Sequence, residues 1–379
     1  MRILYDGWSL VYEPLGPASL HLLSILENIP GEISPVLALP EDTPAWLDYS
    51  ETVIIPAQNT PWGRLRWEQF ALPSLVKELR ADLLHLVTPS APAFRNPNTL
   101  FSPTGFGAGR HSWSGIQPTF EVSKHVFDRL RISMGLGGLV HVSRILWPSD
   151  LPAPALAGPL ERIQPILPLK FAQGQDLFAR RNWQLRDMGT SLIAEPQLPD
   201  EFILYHGPGG RRHLELLAQA WHWAAAPIGE NYPLLLIGLH DEDRQIVSEL
   251  VNQLDFGGSF LALPDVTPDM LPELYQLSTA VFHPVPASPW CGPVRLALAS
   301  GKPLAATGES LTAAIAGPAA YLVSENDARA LGAALVTIIV EQEMADNLSA
   351  AAVHRTQDWI TNNIGDQLLR LYSSASRIR

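Results

Sequence analysis

The stretch Ser288–Ala306, SPWCGPVRLALASGKPLAA, decides how the second half of the chain folds. It follows the apolar run Ala280–His283, which predicts a buried strand. Pro293 suits the first position of a helix because its φ is fixed, and the Gly301–Pro303 turn would end that helix. A second strand, Leu304–Ala306, follows at once. The helix therefore begins at the carboxyl ends of the strands, where an anionic ligand such as a nucleotide diphosphate is expected.

The bulk composition limits the classes of protein to consider. The chain has 379 residues, 46% of them hydrophobic and 17% charged, which suits two globular domains with buried cores. A net charge of −12 argues against a nucleic-acid-binding surface but leaves room for a local anion site. Cys291 is the single cysteine, so no internal disulfide is expected and a reducing, cytoplasmic compartment fits. We expect neither a signal peptide nor a transmembrane segment; peripheral attachment to the inner membrane face stays open.

The first half alternates short apolar runs with helical patterns, which predicts an α/β domain with a mostly parallel, doubly wound sheet. The predicted strands are Arg2–Tyr5, Pro35–Leu39, Val53–Ile55, Asp82–Val87, Leu100–Phe101 and Leu139–Val142. The predicted helices are Ser19–Ile29, Arg64–Arg80 and Glu121–Met134. The apolar face predicted for the second of these helices consists of Phe70, Leu72, Leu75, Val76 and Leu79.

A glycine-rich loop, Gly105–Gln117, interrupts this pattern and contains Arg110 and His111. A loop of this length either has a function, with both side chains directed at a ligand between the domains, or is a solvated surface loop. The proline-rich stretch Pro148–Pro168 predicts the end of the first domain. We therefore expect domains at 1–168 and 201–363, a connection at 169–200, and a C-terminal helix within 364–379.

The second half begins with the predicted strand Phe202–Tyr205, which runs into the loop His206-Gly207-Pro208-Gly209-Gly210 and a helix that starts at Arg211 and Arg212. Glycines allow the backbone to approach a ligand closely, and arginines at a helix start can hold phosphate oxygens. The alternative is a tight turn with solvated arginines. Lys302 is a third candidate cation for phosphate.

The remaining pattern predicts a second doubly wound domain. Its further strands are Leu234–Ile237, Phe260–Leu263, Val281–His283 and Tyr321–Val323. Its helices are Asp243–Leu254, Thr267–Ser278, Ser310–Ile315, Ala328–Val340, Gln342–Trp359 and Asp366–Ser376. The last helices have no following strand, so they could cross back and brace the first domain.

Other candidate chemistry is sparse. The acidic triplet Asp241–Asp243 is typical of a helix start, where acids complement the helix dipole, more than of a metal site. No Cys/His cluster has metal-ligand spacing, so no metal is predicted. Cys291 is either a nucleophile or, as is usual for a single cysteine, a small buried hydrophobe. Trp290 is the tryptophan to test first for stacking on a sugar.

The order of these motifs resembles that of the retaining, nucleotide-sugar-dependent glycosyltransferases with the GT-B fold, family-4 type. The donor-domain segments FILYHGPGGRRHLELLAQAW, PLLLIG, LPELYQLSTAVFHP, GPVRLALASGKPLAATG, AAYLVSENDARALGAAL and HRTQDWITNN follow in the family's order over about 160 residues. In the first half, Arg66–Pro92 is similar to the family's helix and D-x-x-H strand. Gly138–Ile145 looks like a further strand of that domain.

The resemblance implies two Rossmann-like domains facing across a cleft, the first on the acceptor side and the second binding the donor. It implies transfer of a sugar from a nucleotide-diphosphate sugar to an unknown glycan or small-molecule acceptor, without a metal or cofactor and with retention. The family's two glutamates, E-x7-E, fall here on Ser288 and Leu296, so its acidic signature is degenerate. Arg212 stands at the family's lysine position, and Gly16-Pro17 is what corresponds to its glycine-rich loop.

The expected site residues follow from this comparison, and no catalytic residue is assigned. The donor-binding candidates are Gly207, Gly209, Arg211, Arg212, Ser288, Trp290, Cys291, Gly292 and Pro293. The acceptor-side candidates are Gly16, His85, Arg110 and His111. The alternative function is that of a catalytically degenerate GT-B protein, which binds a glycan or nucleotide or acts as the partner subunit of an active glycosyltransferase. An exported solute-binding protein is disfavoured because no export signal is evident.

Overall fold

The structure is a computed structural model. It describes residues 1–49, 51–87, 91–93, 98–104, 106–108, 116–118, 130, 133–134, 137–154, 159–168, 171, 198–256, 258–324, 327–360 and 364–376. Within these ranges, two parallel sheets with helices on their faces form two Rossmann-like domains, which confirms the predicted fold class. None of the helices in the described ranges is both long and apolar enough to span a bilayer.

The first sheet has seven strands in the order β3-β2-β1-β4-β5-β8-β9, all parallel. Its strands are β1 Arg2–Asp6, β2 Ser34–Leu39, β3 Thr52–Ile54, β4 Leu83–Leu86, β5 Thr99–Phe101, β8 Arg144–Pro148 and β9 Leu160–Ile163. The strand order reverses between β1 and β4, so the carboxyl ends of these two strands mark the expected crevice. A separate antiparallel hairpin joins β6 Phe106–Ala108 to β7 Ile116–Pro118.

The second sheet has six parallel strands in the order β12-β11-β10-β13-β14-β15. Its strands are β10 Ile203–His206, β11 Leu234–Ile237, β12 Phe260–Ala262, β13 Ala280–His283, β14 Leu304–Thr307 and β15 Tyr321–Val323. The order reverses between β10 and β13. The glycine loop after β10 and the stretch 288–306 after β13 therefore lie side by side at the carboxyl edge.

Helices cover both sheets. Those whose bounds lie within the described part of the first half are Trp8–Tyr12, Pro17–Glu27, Pro61–Arg66 and Leu72–Glu78. In the second half they are Arg211–Ile228, Asp241–Leu254, Leu271–Leu277, Pro293–Ala299, Ser310–Ala316, Ala328–Val340 and Gln342–Ile360, followed by Ile364–Ser376. The last helix returns to the first domain, where Leu368 and Tyr372 pack in one cluster with Ile3 and Tyr5 of β1.

The predicted helix Arg64–Arg80 needs correction at its start and in its middle. It begins at Pro61, because the Thr60 hydroxyl accepts a hydrogen bond from the Gly63 N–H at 3.0 Å. A π-helical turn, Trp67–Ala71, then separates two α-helical segments. This wider turn directs Trp67, Glu68 and Gln69 inward and leaves Phe70, predicted to be buried, 54% exposed.

The predicted strand Leu139–Val142 is wrong. Leu139–His141 forms a 3₁₀ turn, and the sheet continues with β8 from Arg144. Leu139 and Val142 are both buried, and three residues is the spacing of a helical turn, whereas residues on one face of a strand are two apart. The strand β9 is an addition that the proline-rich stretch concealed. The predicted helix Glu121–Met134 lies almost wholly outside the described residues.

Candidate functional site

The carboxyl ends of the two sheets face each other and are joined through their loops. His206, the last residue of β10, donates a hydrogen bond from Nε2 to the carbonyl oxygen of Leu15 at 2.9 Å. Leu15 precedes Gly16, the N-cap of the helix Pro17–Glu27. The turn after the first helix of the first domain thus contacts the strand end from which the glycine loop of the second domain starts.

The glycine loop is shaped by a carboxylate from the neighbouring helix. Gly210, with φ +91°, donates its backbone N–H to Asp243 Oδ1 at 2.6 Å. A Cβ on Gly209 would lie 1.8 Å from Asp243 Oδ2, so a larger residue there would force this carboxylate away from the loop. Asp243 also accepts the His240 N–H at 3.2 Å. The acidic triplet lies at a helix start, as predicted, and Asp243 in addition holds this loop. Within the described ranges no group of three His, Cys, Asp or Glu side chains is arranged to hold a metal ion.

The two arginines at the start of the helix Arg211–Ile228 differ in their surroundings. Arg211 is exposed and lies 2.8 Å from Glu249 Oε2 and 3.7 Å from Glu215 Oε1. Arg212 is also exposed and has no hydrogen bond or ion pair to another described residue. Arg212 is consequently the cation at this helix start that is free to bind an anion.

Lys302 is on the wrong side of the sheet to join these arginines. It immediately precedes Pro303 and β14, so it lies at the amino-terminal edge. Its charge interacts with Glu201, which stands just before β10, while burial lowers the lysine pKa. The expectation that Lys302 helps bind phosphate is therefore not supported by its position.

The loop Ser288–Gly292, called the 288–292 loop below, is closed against the first domain. Every residue from 287 to 298 is buried. The Ser288 hydroxyl donates to the Thr104 carbonyl oxygen at 3.2 Å. Gly292 is extended, with φ 172°, and precedes Pro293 at the start of the helix. Leu296, at the second expected acid position, is fully buried in the core.

Trp290 and Cys291 face the first domain and not solvent. The Trp290 indole is completely buried and stacks on His21, with ring centroids 4.4 Å apart and an interplanar angle of 18°. Burial raises the pKa of Cys291 to about 12, although a hydrogen bond with Ser24 opposes this shift. The interpretation of Cys291 as a buried hydrophobe fits this environment, and in this conformation Trp290 offers no open face to a sugar.

Two charged residues beside this loop are not among the residues predicted for the site. Arg295 is 1% exposed, and its guanidinium forms a bidentate ion pair with Asp150 of the first domain, at 2.9 and 3.0 Å. Glu309 is buried and accepts the backbone N–H groups of Leu311 at 2.9 Å and of Ala287 at 3.4 Å. The sequence signals that could have singled them out are an arginine in an otherwise apolar helix and an acid directly after a Gly at a strand end.

The first-domain candidate His85 belongs to a buried hydrogen-bond network. Its Nε2 lies 2.7 Å from Ser102 Oγ and its Nδ1 lies 2.9 Å from the hydroxyl of Tyr372, on the last helix. Tyr372 in turn accepts from the Tyr5 hydroxyl at 3.0 Å. Burial lowers the pKa of His85 to about 3, so the ring is neutral. Arg110 and His111, the other two side-chain candidates, lie outside the described residues.

A second charged cluster closes the end of β1. Asp6 is completely buried and accepts from Trp67 Nε1 at 2.8 Å, and it pairs with Arg64 at 3.2 Å. Arg64 also pairs with Glu68 at 2.5 Å and lies over the Trp8 ring, 4.8 Å from its centroid. The π-helical turn brings Glu68 inward, so the polar lining of this edge depends on it.

A surface cavity of about 490 Å³ lies away from these residues. It is lined by Pro233 and Ser259, which directly precede β11 and β12, and by Gly229, Leu254 and neighbouring residues. This is the amino-terminal edge of the second sheet. Ligands of open α/β sheets bind at the opposite edge, so this cavity is not the candidate site.

Comparison with known proteins supports the fold. No family model and no curated protein matches the chain. A sucrose-phosphate synthase from Thermosynechococcus elongatus is 17% identical, with a TM-score of 0.66 over 99% of this chain and 98% of that one. WaaG, a glycosyltransferase involved in lipopolysaccharide biosynthesis, is 11% identical, with a TM-score of 0.67 over 100% of both chains.

A third similar structure is Anabaena Alr3699/HepE in complex with UDP and glucose, which is 16% identical, with a TM-score of 0.63 over 99% of this chain and 100% of that one. At such identities the similarity shows the fold alone. The chain has the two-domain GT-B fold of these proteins.

Proposed function

We propose that the protein is a glycosyltransferase that moves a sugar from a nucleotide-diphosphate sugar to an acceptor, without a metal ion and with retention of configuration. The observation that carries the proposal is the free arginine, Arg212, at the start of the 18-residue helix Arg211–Ile228, behind a glycine loop at the interdomain edge. The same fold in Alr3699/HepE has been solved with UDP-glucose bound.

The donor diphosphate would bind at the glycine loop and the helix start. The unpaired backbone N–H groups of a helix N-terminus attract anions, and a guanidinium adds charge-assisted hydrogen bonds to phosphate oxygens. Gly207 and Gly209 keep side chains out of this loop. By contrast, Pro293 has no N–H to donate and its surroundings are buried. We therefore assign the phosphates to the β10 loop rather than to the 288–292 loop.

Catalysis of this kind depends mainly on placing donor and acceptor together and on stabilising the leaving diphosphate. A positive helix end and Arg212 supply that stabilisation without a carboxylate base. Ser288 retains a hydroxyl that can hydrogen-bond a sugar, whereas Leu296 cannot accept a bond from a ribose hydroxyl. The proposal thus assigns donor binding to cations and backbone groups of the second domain.

Calorimetry with UDP, GDP, ADP and their glucose conjugates tests this proposal. Arg212→Ala should weaken binding of the preferred ligand about tenfold, the loss expected for one charge-assisted hydrogen bond. Arg211→Ala is the matched control and should change affinity less than about threefold, because an exposed arginine already paired with Glu249 has little to lose. The proposal would be contradicted if none of these ligands bound at millimolar concentration.

The degenerate alternative is favoured by one observation. The expected acid positions are Ser288 and Leu296, and residues 287–298 are all buried. A protein that binds a nucleotide or glycan, or partners an active glycosyltransferase, would need no open catalytic centre. Donor turnover that Arg212→Ala abolishes and Arg211→Ala preserves would establish the enzyme; binding without turnover, together with copurification of a second transferase, would establish the alternative.

A further inference from the structure

Arg295 connects three parts of the chain that are distant in sequence. It lies on the helix Pro293–Ala299 of the second domain, and its forked pair with Asp150 reaches the turn after β8 in the first domain. Its Nε and Nη2 also donate to the Pro289 carbonyl oxygen, at 3.0 and 2.9 Å. The guanidinium lies over the ring of Trp359, 4.6 Å from its centroid. One buried side chain therefore fixes the 288–292 loop both to its own helix and to the other domain.

Elsewhere in the contact between this loop and the first domain, buried polar atoms lack hydrogen bonds. Trp290 stacks on His21, yet Trp290 Nε1 and both ring nitrogens of His21 are buried and have no hydrogen-bond partner among the described residues. Buried polar atoms that lack partners cost free energy. The unpartnered nitrogens of this stacked pair therefore oppose closure, whereas the apolar surface that the two rings bury favours it. The Arg295 guanidinium donates four hydrogen bonds, two to Asp150 of the first domain and two to the Pro289 carbonyl oxygen. Together with the Ser288–Thr104 hydrogen bond, it is a polar contact that favours the closed arrangement.

We propose that Arg295 is a positioning residue whose ion pair with Asp150 holds the 288–292 loop closed against the first domain, and that this pair separates when a nucleotide-sized ligand enters. The second part of this statement rests on the proposed function. Asp150 is 14% exposed, so its carboxylate can be hydrated when the pair separates. Opening would also hydrate the three unpartnered nitrogens of Trp290 and His21, which lowers its cost.

The single cysteine provides a direct reporter of opening. Cys291 lies within the loop, is completely buried and is the only thiol in the chain, so its rate of alkylation follows the population of the open form. We expect Asp150→Asn and Arg295→Met to accelerate modification of native Cys291 by iodoacetamide at least about tenfold, since breaking a buried ion pair is strongly unfavourable. Arg355→Lys is the control, because the described hydrogen bonds of Arg355 go to the carbonyl oxygens of Ala314 and Ile315, within the second domain.

Hydrogen exchange separates local opening from general loss of stability. In Asp150→Asn and Arg295→Met, peptides covering Pro17–Glu27 and the 288–292 loop should exchange faster, while β10 and β11 should keep the wild-type rate. Unchanged Cys291 modification in both variants would overturn the proposal. So would equal acceleration in β10 and β11, because the pair would then be a general stabiliser of the fold.

Ligand binding gives a readout that a purely structural role would not produce. If closure restricts access, weakening the pair raises the open population, and Asp150→Asn should bind the preferred nucleoside diphosphate several-fold more tightly than wild type. If Asp150→Asn accelerates Cys291 modification but binds the nucleoside diphosphate more weakly than wild type, the proposal that the ion pair separates for ligand entry is wrong. Faster modification of Cys291 with no nucleotide binding in any variant would instead refute the proposed function and leave the closing role of Arg295 standing.

Discussion

Leu296 occupies a position where the glycosyltransferase family that this sequence resembles has a glutamate. Its side chain is completely buried in one cluster with Leu204, Val281 and Leu298. A carboxylate there would have no partner and no water. We therefore expect Leu296→Glu to lower the free energy of unfolding by about 3 kcal/mol or more, and Leu296→Met by less than about 1.5 kcal/mol. Urea unfolding of the two variants measures this difference. A Leu296→Glu protein as stable as wild type would show that this position is open to solvent or to a ligand.

The environment of a single residue was predictable where its chemical type allows few alternatives. Cys291 was expected to be buried, and it is. The glycines after β10 were expected to let the backbone approach a ligand; in the structure the group that lies close to Gly209 is the Asp243 carboxylate. The roles of Arg295 and Glu309 were not predictable, because a single charge beside an apolar run does not identify its partner. Only the contact of Arg295 with Asp150, 145 positions away, shows its role.

At the level of elements, the last helix belongs energetically to the first domain. Leu368 is buried with β1 and β4, whereas Ile338, on the helix Ala328–Val340, is buried in the second domain. Leu368→Ala and Ile338→Ala should each cost about 2–5 kcal/mol. Hydrogen exchange should then rise in β1 and β4 for the first variant and in β10 and β11 for the second. The same exchange pattern in both variants would show that the two domains unfold as one unit.

Regular elements with a long, clear pattern were well predicted. The helix Ala328–Val340 and the strands Leu234–Ile237 and Tyr321–Val323 have the expected bounds. The π-helical turn Trp67–Ala71 was not predictable, because apolar spacing alone does not reveal an extra residue in a turn. Its inward polar residues, Glu68 and Gln69, are held by hydrogen bonds to Arg64 and Ala91. Such tertiary partners lie outside the reach of a periodicity argument.

For the whole molecule, the alternation of strands and helices predicted both domains, but not how closely their edges meet. Four buried histidines lie near these edges: His85 on β4, His206 on β10, His283 on β13 and His21 on the helix Pro17–Glu27. Burial lowers the pKa of His85 and His283 to about 3 and that of His206 to about 4. Burial also lowers the pKa of His21 well below its usual value, with smaller contributions from His85 and Arg295.

These shifts predict that the protein loses stability in weak acid. The unfolded chain binds protons near pH 6.5 while the native histidines stay neutral, so stability is full above that pH and falls as the pH drops toward 4. Each histidine contributes a slope of about 1.4 kcal/mol per pH unit in this window. Urea unfolding at pH 7, 6 and 5 should show a shallower decline for His21→Phe than for wild type. The matched control is His354→Gln, at an exposed position, which should leave the slope unchanged; equal slopes for all three proteins would mean that His21 takes up its proton without opening the domain interface.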